Sequence, residues 1–392
     1  MDSAVDVEAG MSVARNKGGR PRREDIDAAV NENPDVPARE LARLIGCNHM
    51  AISRRREVSR HLSACESEFV ATRPGRPVMR YHGGKWVLAP FIVAHLPLHR
   101  TYTEAFGGAA SVLIRKPRSH AEVYNDLDRE VVNLFEVLQS PVMAARLRRR
   151  LELTPYSRVV FVRAYEPSRD PVEQAVRTVV KSFMGFGSTS VTMESAKSAG
   201  AGFKSRDRYG TATTPTGFRA VSHSSGTTAA TDWSNYPAHV HALVERLRGV
   251  VIENRDAVKV LQQHDTPATL HYVDPPYPHS TRSHHVITKR RGKGYRHEMT
   301  DAEHRALAEV LRGLEGMVVL SGYPCDLYDR ELYPDWSRVE RRALADGARE
   351  RTEVLWLNPA AAAASPALQS AGAELPDLFA TATPAAAGGA GA

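Results

Sequence analysis

Thr101-Tyr102-Thr103-Glu104-Ala105-Phe106-Gly107-Gly108-Ala109-Ala110-Ser111-Val112-Leu113 is the stretch whose reading decides the fold. A strand ends at an acid, passes through two glycines and opens an apolar helix. Strand, glycine loop, helix is the order of nucleotide-binding α/β folds. The spacing is not the Gly-x-Gly-x-x-Gly of dinucleotide sites. Ala121-Glu122-Val123-Tyr124-Asn125-Asp126-Leu127-Asp128 follows as a second strand ending in carboxylates. It comes at the ~20-residue separation expected of an acid that holds a ribose. A helix cap is the plainer reading of Asp126 alone. Val131–Leu138 reads as the next helix. Loop and acid together point to a ligand that contains adenosine.

Further along, Thr269-Leu270-His271-Tyr272-Val273 alternates as a short strand and delivers Asp274-Pro275-Pro276-Tyr277. Two prolines cannot continue a ladder and leave little backbone freedom. Asp274 and the carbonyls beside it offer acceptors, and Tyr277 offers a flat face. This suits a planar ligand with an amino edge, such as adenine; a rigid strand-ending turn is the other reading. Upstream, Arg80-Tyr81-His82-Gly83-Gly84-Lys85-Trp86 sets a Gly-Gly turn between aromatics and a lysine.

Tyr81, Gly83-Gly84-Lys85-Trp86, Glu104–Gly108, Asn125-Asp126 and Asp274–Tyr277, in this order, resemble the Dam-like class of DNA adenine methyltransferases. The resemblance runs over roughly residues 79–358 and takes in Met317–Tyr323 and Glu353–Asn358 as later strands. It implies an α/β fold: a Rossmann-like, mostly parallel methyltransferase sheet with an inserted target-recognition region. It implies S-adenosylmethionine as cofactor and double-stranded DNA as partner, with no metal. By the same resemblance Tyr81, Lys85, Glu104, Phe106, Gly107, Gly108 and Asp126 line the cofactor site. Asp274, Pro275, Pro276 and Tyr277 are the catalytic set. Asp274 and the Pro275 carbonyl would accept the N–H bonds of a flipped adenine while Tyr277 stacks on it. An acid near Asn254, Arg255 and Asp256 would lie by the cofactor's adenine. Protein-amide enzymes usually carry Asn where Asp274 stands. Pro324-Cys325 resembles the nucleophile motif of cytosine-carbon enzymes, but it follows the wrong strand and reads as incidental.

The chain has 392 residues, 42% hydrophobic and 25% charged, which suits one large globular domain with a small one. No run is apolar enough for a membrane span, and a cytoplasmic protein of bacterial or phage origin is expected. Three scattered cysteines make neither a disulfide framework nor a zinc site. The net charge of +7 permits a nucleic-acid partner without proving one.

Residues 1–19 read as a disordered basic N-terminus. Within 20–62, helix, Gly46-containing turn and basic helix resemble a helix-turn-helix, with Leu41, Leu44 and Ile45 on one face and Met50 and Ile52 inward. Ser53, Arg54 and Arg55 would face DNA; a bundle with a solvated basic face is the rival reading. Residues 63–76 form a linker, and Gly19-Arg20-Pro21-Arg22 has the core of a minor-groove hook, with a basic linker as the plainer reading. The main domain covers 77–358, with target recognition at about 141–240. Arg148 and Arg149 in the Arg146–Arg150 cluster would meet phosphates. So would Arg282, Arg290 and Arg291 in the cationic stretch His279–His297, read as a lid over the DNA backbone. Residues 359–392 read as a disordered Ala-rich tail.

The activity expected is methylation of the exocyclic amino group of adenine in DNA. The rivals are a DNA-binding regulator with an inactive or cofactor-sensing methyltransferase-like domain, and an enzyme acting on RNA or a protein amide. A restriction endonuclease, if one accompanies it, is a separate chain.

Overall fold

The computed structural model describes residues 26, 29–30, 36–45, 47–53, 74–185, 188–192, 217–219, 228–281, 295–345 and 349–369. The chain forms two compact units, residues 1–71 and 72–392.

In the first unit, α1 (Ala38–Ile45) buries Leu41 and Ala42 against Ala29, Val30 and Ile52. The Asn48 side chain accepts from the Met50 amide at 2.9 Å and so opens the helical residues 49–53. Ile52 is fully buried, as expected, whereas Met50 is 51% exposed, against expectation. Residues two apart on a helix lie about 200° apart, so only one of the pair can face the core. Ser53 is half-buried. Arg54, Arg55 and the hook at 19–22 lie outside the described residues.

The second unit is built on seven strands: β1 (Thr101–Glu104), β2 (Ala121–Asn125), β3 (Val251–Glu253), β4 (Thr269–Val273), β5 (Met317–Gly322), β6 (Ser337–Ala345) and β7 (Arg349–Leu357). Their order in the sheet is β3-β2-β1-β4-β5-β7-β6. The first five are parallel, and β7 enters antiparallel between β5 and β6. Alternate side chains feed two cores. On β5 and β7, Val319, Leu355 and Leu357 join one, while Val318, Leu320, Val354 and Trp356 join the other. The first core is covered by helices that include α2 (Ala89–His95), α3 (Ser111–Arg115), α4 (Arg129–Gln139), α5 (Pro141–Glu152), α6 (Arg158–Arg163), α7 (Pro171–Met184), α8 (Ala229–Asn235) and α9 (Val240–Leu247). The second is covered by α10 (Ala257–Gln263) and α11 (Asp301–Gly313).

The direction of chain progress reverses between β1 and β4. The register aligns Glu104 with Tyr272, so both strands deliver their C-terminal residues to the same crevice. Ligands of open α/β sheets bind in such a crevice.

One feature departs from expectation. The tail does not begin at 359: α12 (Pro359–Ala364) and α13 (Pro366–Gln369) are ordered, and Ala361 is fully buried. Asn358 caps α12 by accepting from the Ala361 amide, Pro359 sits in its first turn, and alanine favours the helix beyond. Residues 370–392 lie outside the description. In 141–240, the described residues include helices whose Val179, Phe183 and Trp233 belong to the first core. Residues 186–187, 193–216 and 220–227 of that region are not described.

Candidate active site

The glycine loop owes its shape to tyrosines. A Cβ on Gly107 would fall 2.1 Å from the Tyr124 ring, and one on Gly108, at φ +48°, would fall 3.0 Å from the Tyr81 ring. The Tyr124 hydroxyl donates to the Gly108 carbonyl at 2.7 Å. The loop is also tied to β2, because the Gly107 amide donates to the Asn125 carbonyl at 2.8 Å and the Gly108 amide to Asp126 Oδ2 at 2.8 Å. Asn125 itself is a buried strut: its amide reaches the Ala105 and Arg255 carbonyls at 2.9 and 3.0 Å.

These elements open into a cavity of about 540 Å³. Its floor holds Glu104, Phe106, Gly107 and Gly108, and one wall holds Asp126, Leu127, Asp256 and Val258. Tyr81, Lys85 and Asp274 bound it elsewhere, and Tyr295–Met299 with α11 complete the enclosure. The volume lies within the range of small-molecule sites, roughly 300–1,000 Å³.

Asp274 is held from both sides. Oδ2 meets Lys85 Nζ at 2.9 Å, and Oδ1 accepts from Ser321 Oγ at 2.9 Å. Ser321 is in turn bonded to the Tyr272 hydroxyl at 2.9 Å. Lys85 also donates to the Gly83 carbonyl at 2.8 Å and lies 3.6 Å from Glu353. Burial opposes the Lys85 charge, but Asp274 and Glu353 outweigh it and keep the ammonium above its usual pKa. Glu104 is buried, and burial raises its carboxyl to about 8 even though it accepts from Tyr102 and the Leu113 amide. Burial likewise lifts Asp126 to about 6 against the pull of its two backbone N–H bonds.

Residues 81–341 match the family model of D12 class N6 adenine-specific DNA methyltransferases. The chain belongs to that family. It is therefore an adenine-specific DNA methyltransferase, with DNA as substrate, and the resemblance read from its motifs holds. A comparison with curated proteins finds no match.

The structure brings Tyr81, Lys85, Glu104, Phe106, Gly107, Gly108, Asp126, Asp274 and Pro276 of this methyltransferase around one cavity. Three expectations shift. Lys85 lines the cavity, but its charge is engaged by the protein's own carboxylates. Tyr277 does not present a free face: the ring is 5% exposed, with Lys85 Nζ 4.8 Å from its centroid and Tyr323 edge-on at 4.6 Å. At the end of the cationic stretch, Arg296 lines the cavity and pairs with Asp128 at 2.8 Å and Glu130 at 3.1 Å. Arg282, Arg290 and Arg291 lie outside the described residues. Of the three candidates near the cofactor's adenine, Asp256 lines the cavity and caps α10, while Asn254 bonds the Asp126 carbonyl.

Arg148 and Arg149 are exposed on α5, and both pair with Glu152 of the same helix. Exposed pairs of this kind contribute little and leave the arginines available to other anions. Cys325 does not line the cavity, and burial raises its thiol pKa. Sequence reasoning missed Glu353, whose Oε1 accepts from the Tyr277 hydroxyl at 2.5 Å. The signal in the chain is an acid at the head of an apolar run, Val354-Leu355-Trp356-Leu357 following it.

Proposed function

We propose that this enzyme moves the methyl group of S-adenosylmethionine to the exocyclic amino nitrogen of an adenine rotated out of duplex DNA. The observation that carries the reading is that one cavity joins a ribose-type acid, Asp126, to the Asp274 carboxylate. The residues fit the cofactor. Asp126 has free lone pairs for a diol, the glycine loop lets a ligand approach backbone, and Phe106, Leu127 and Val258 supply apolar walls. When bound, S-adenosylmethionine supplies a methyl group on a positively charged sulfur.

The chain's own residues prepare the acceptor. The adenine amino lone pair is delocalised into the ring, so the nitrogen is a poor nucleophile. Asp274 accepts one of its N–H bonds and the Pro275 carbonyl the other, which localises the lone pair and aims it along the cavity. Ser321 and Lys85 fix the Asp274 carboxylate, so no reorganisation is needed at the moment of transfer. With the cofactor held by Asp126 and the glycine loop, its methyl group would be the electrophile for this lone pair, and Asp274 would take the surplus N–H proton and pass it to solvent. Tyr277, pinned to Glu353, shapes the wall beside the base. Flipping costs a few kcal/mol, drawn from contacts to the DNA backbone. Arg148 and Arg149 are candidates for such contacts, as is the stretch holding Arg282, Arg290 and Arg291.

The test is transfer of labelled methyl from S-adenosylmethionine to unmethylated DNA, read by single-molecule sequencing. Asp274→Ala should cut the rate by about 10³-fold or more, with cofactor affinity within about threefold of wild type. Equal loss of both would sink the role given to Asp274. Absence of label on adenine with the wild-type enzyme would sink the reaction.

The N-terminal unit is proposed to add DNA affinity as a helix-turn-helix, supported by its buried Leu41–Ile52 core and basic residues. Deleting residues 1–76 should weaken DNA binding by about tenfold and flatten its salt dependence; unchanged binding would remove that role.

A further inference from the structure

Glu353 lies on β7, outside the set of residues that line the cavity, in contact with Lys85, which lines it, and with Tyr277, which does not. Its carboxylate is 3% exposed. One oxygen, Oε1, accepts from the Tyr277 hydroxyl at 2.5 Å and sits 3.6 Å from Lys85 Nζ. Lys85 already has closer partners in Asp274 and the Gly83 carbonyl. One ammonium therefore faces two carboxylates. Asp274 alone would balance the charge, and a second buried carboxylate is costly to keep ionised. Burial raises its pKa; Lys85 opposes that rise, while the charge of Asp274 adds to it. A group held at such cost beside a reaction cavity points to function rather than packing.

We infer that Glu353 is a positioning residue for methyl transfer, acting through Lys85 on Asp274 and through the Tyr277 hydroxyl on the wall beside the base. The inference rests on the reaction proposed above. Glu353 shares the Lys85 ammonium with Asp274, 3.6 Å from it against 2.9 Å for Asp274, so Asp274 does not hold that charge alone. It also provides the acceptor that orients Tyr277, three residues beyond Asp274 on the same rigid turn. Burial and the Asp274 and Glu353 charges keep the Tyr277 hydroxyl protonated, so it stays a donor. Without the Glu353 charge, Lys85 passes wholly to Asp274, whose oxygens become poorer acceptors for the amino group.

Glu353→Gln keeps the side-chain size and removes the charge. The expected result is a fall in kcat of about tenfold or more, with S-adenosylmethionine Kd by calorimetry within about twofold of wild type. The unfolding midpoint should stay within about 2 °C of wild type or rise, because a buried charge has been removed. A lower midpoint with wild-type kcat per folded molecule would mark a structural group and overturn the inference. Loss of cofactor affinity equal to the loss in kcat would overturn it as well. Should that variant fail to fold, Tyr277→Phe serves: it keeps the ring and removes the hydroxyl that reaches Glu353. It should lower kcat with cofactor Kd unchanged, and a wild-type kcat there would overturn the Tyr277 route. Wild-type enzyme runs alongside. If it places no label on adenine, the proposed reaction has failed; if it does and both variants match it, only the role of Glu353 has failed.

Discussion

Two clusters of buried charge lie at opposite ends of the parallel strands, and their balances are reversed. Near the start of β2, Glu122 is gripped by Arg246 at 2.7 and 2.9 Å and by Lys116 at 2.6 Å. Two cations share one anion. Burial would raise the Glu122 carboxyl, but its partners hold it at about 2. Burial, only partly offset by Glu122, brings Lys116 down to about 8. The surplus positive charge is absorbed by neutral groups, since Lys116 also donates to the Pro117 carbonyl and Ser119 Oγ. Beyond β4 the surplus is negative: Lys85 faces both Asp274 and Glu353, and the cluster opens on the cavity. The sealed cluster serves the fold. The open one leaves net negative charge where the proposed cofactor brings a positive sulfur.

The strongest way to break this contrast is to empty each cluster of its shared ion. Lys85→Met leaves two carboxylates facing each other and should lower methyl transfer by about 10²-fold or more. Glu122→Gln leaves Lys116 and Arg246 without their anion and should cost about 3–5 kcal/mol of stability by denaturant titration. Its kcat per folded molecule should stay at the wild-type level. Full activity in the Lys85 variant, or a kcat defect in the Glu122 variant, would dissolve the distinction.

A smaller effect concerns Glu104, the buried acid on the cavity floor. Folded, it keeps its proton to about pH 8; its ordinary value is 4.5. Between these values the folded state binds more protons than the unfolded one. Its contribution to stability is thus full below about pH 4.5 and is lost as pH rises toward 8. Glu104→Gln should remove that slope, read from unfolding midpoints across pH 5–9. An unchanged slope would move the titration to another group. The smallest effect is at Asp126, which titrates at about 6. If its ionised form holds the ribose hydroxyls, cofactor affinity should rise by about tenfold from pH 5 to pH 7. Asp126→Asn should bind weakly and without that pH dependence, as calorimetry at both pH values would show.

Much of this was legible along the chain because it depends on near neighbours. Gly107-Gly108 between a strand and an apolar helix reads as a ligand loop, and Asp274-Pro275-Pro276-Tyr277 after alternating residues reads as a rigid, acceptor-rich turn. Gly107, Gly108, Asp274 and Pro276 of these stretches line the cavity. Met50 escapes the expected face because it lies two residues from Ile52 on one helix, and the Ala-rich stretch at 359 is helical because its low complexity begins at the Asn358-Pro359 cap. Tyr277 was expected to stack on the base because its sequence neighbours say nothing of Lys85 and Tyr323, which flank it in space.

The sequence by itself determined the succession of elements, the turns and the acid, Asp274, that follows β4 into the cavity. Periodicity, glycine and proline act within a few residues, so they can be read without a fold. Only the tertiary structure decided which charges meet. The antiparallel entry of β7 beside β5 carries Glu353 to Lys85 and Tyr277, and the parallel pairing of β1 with β4 sets Glu104 beside Asp274 in one crevice. Those pairings join residues far apart in the chain, and sheet order, which no local pattern encodes, is what brings them together.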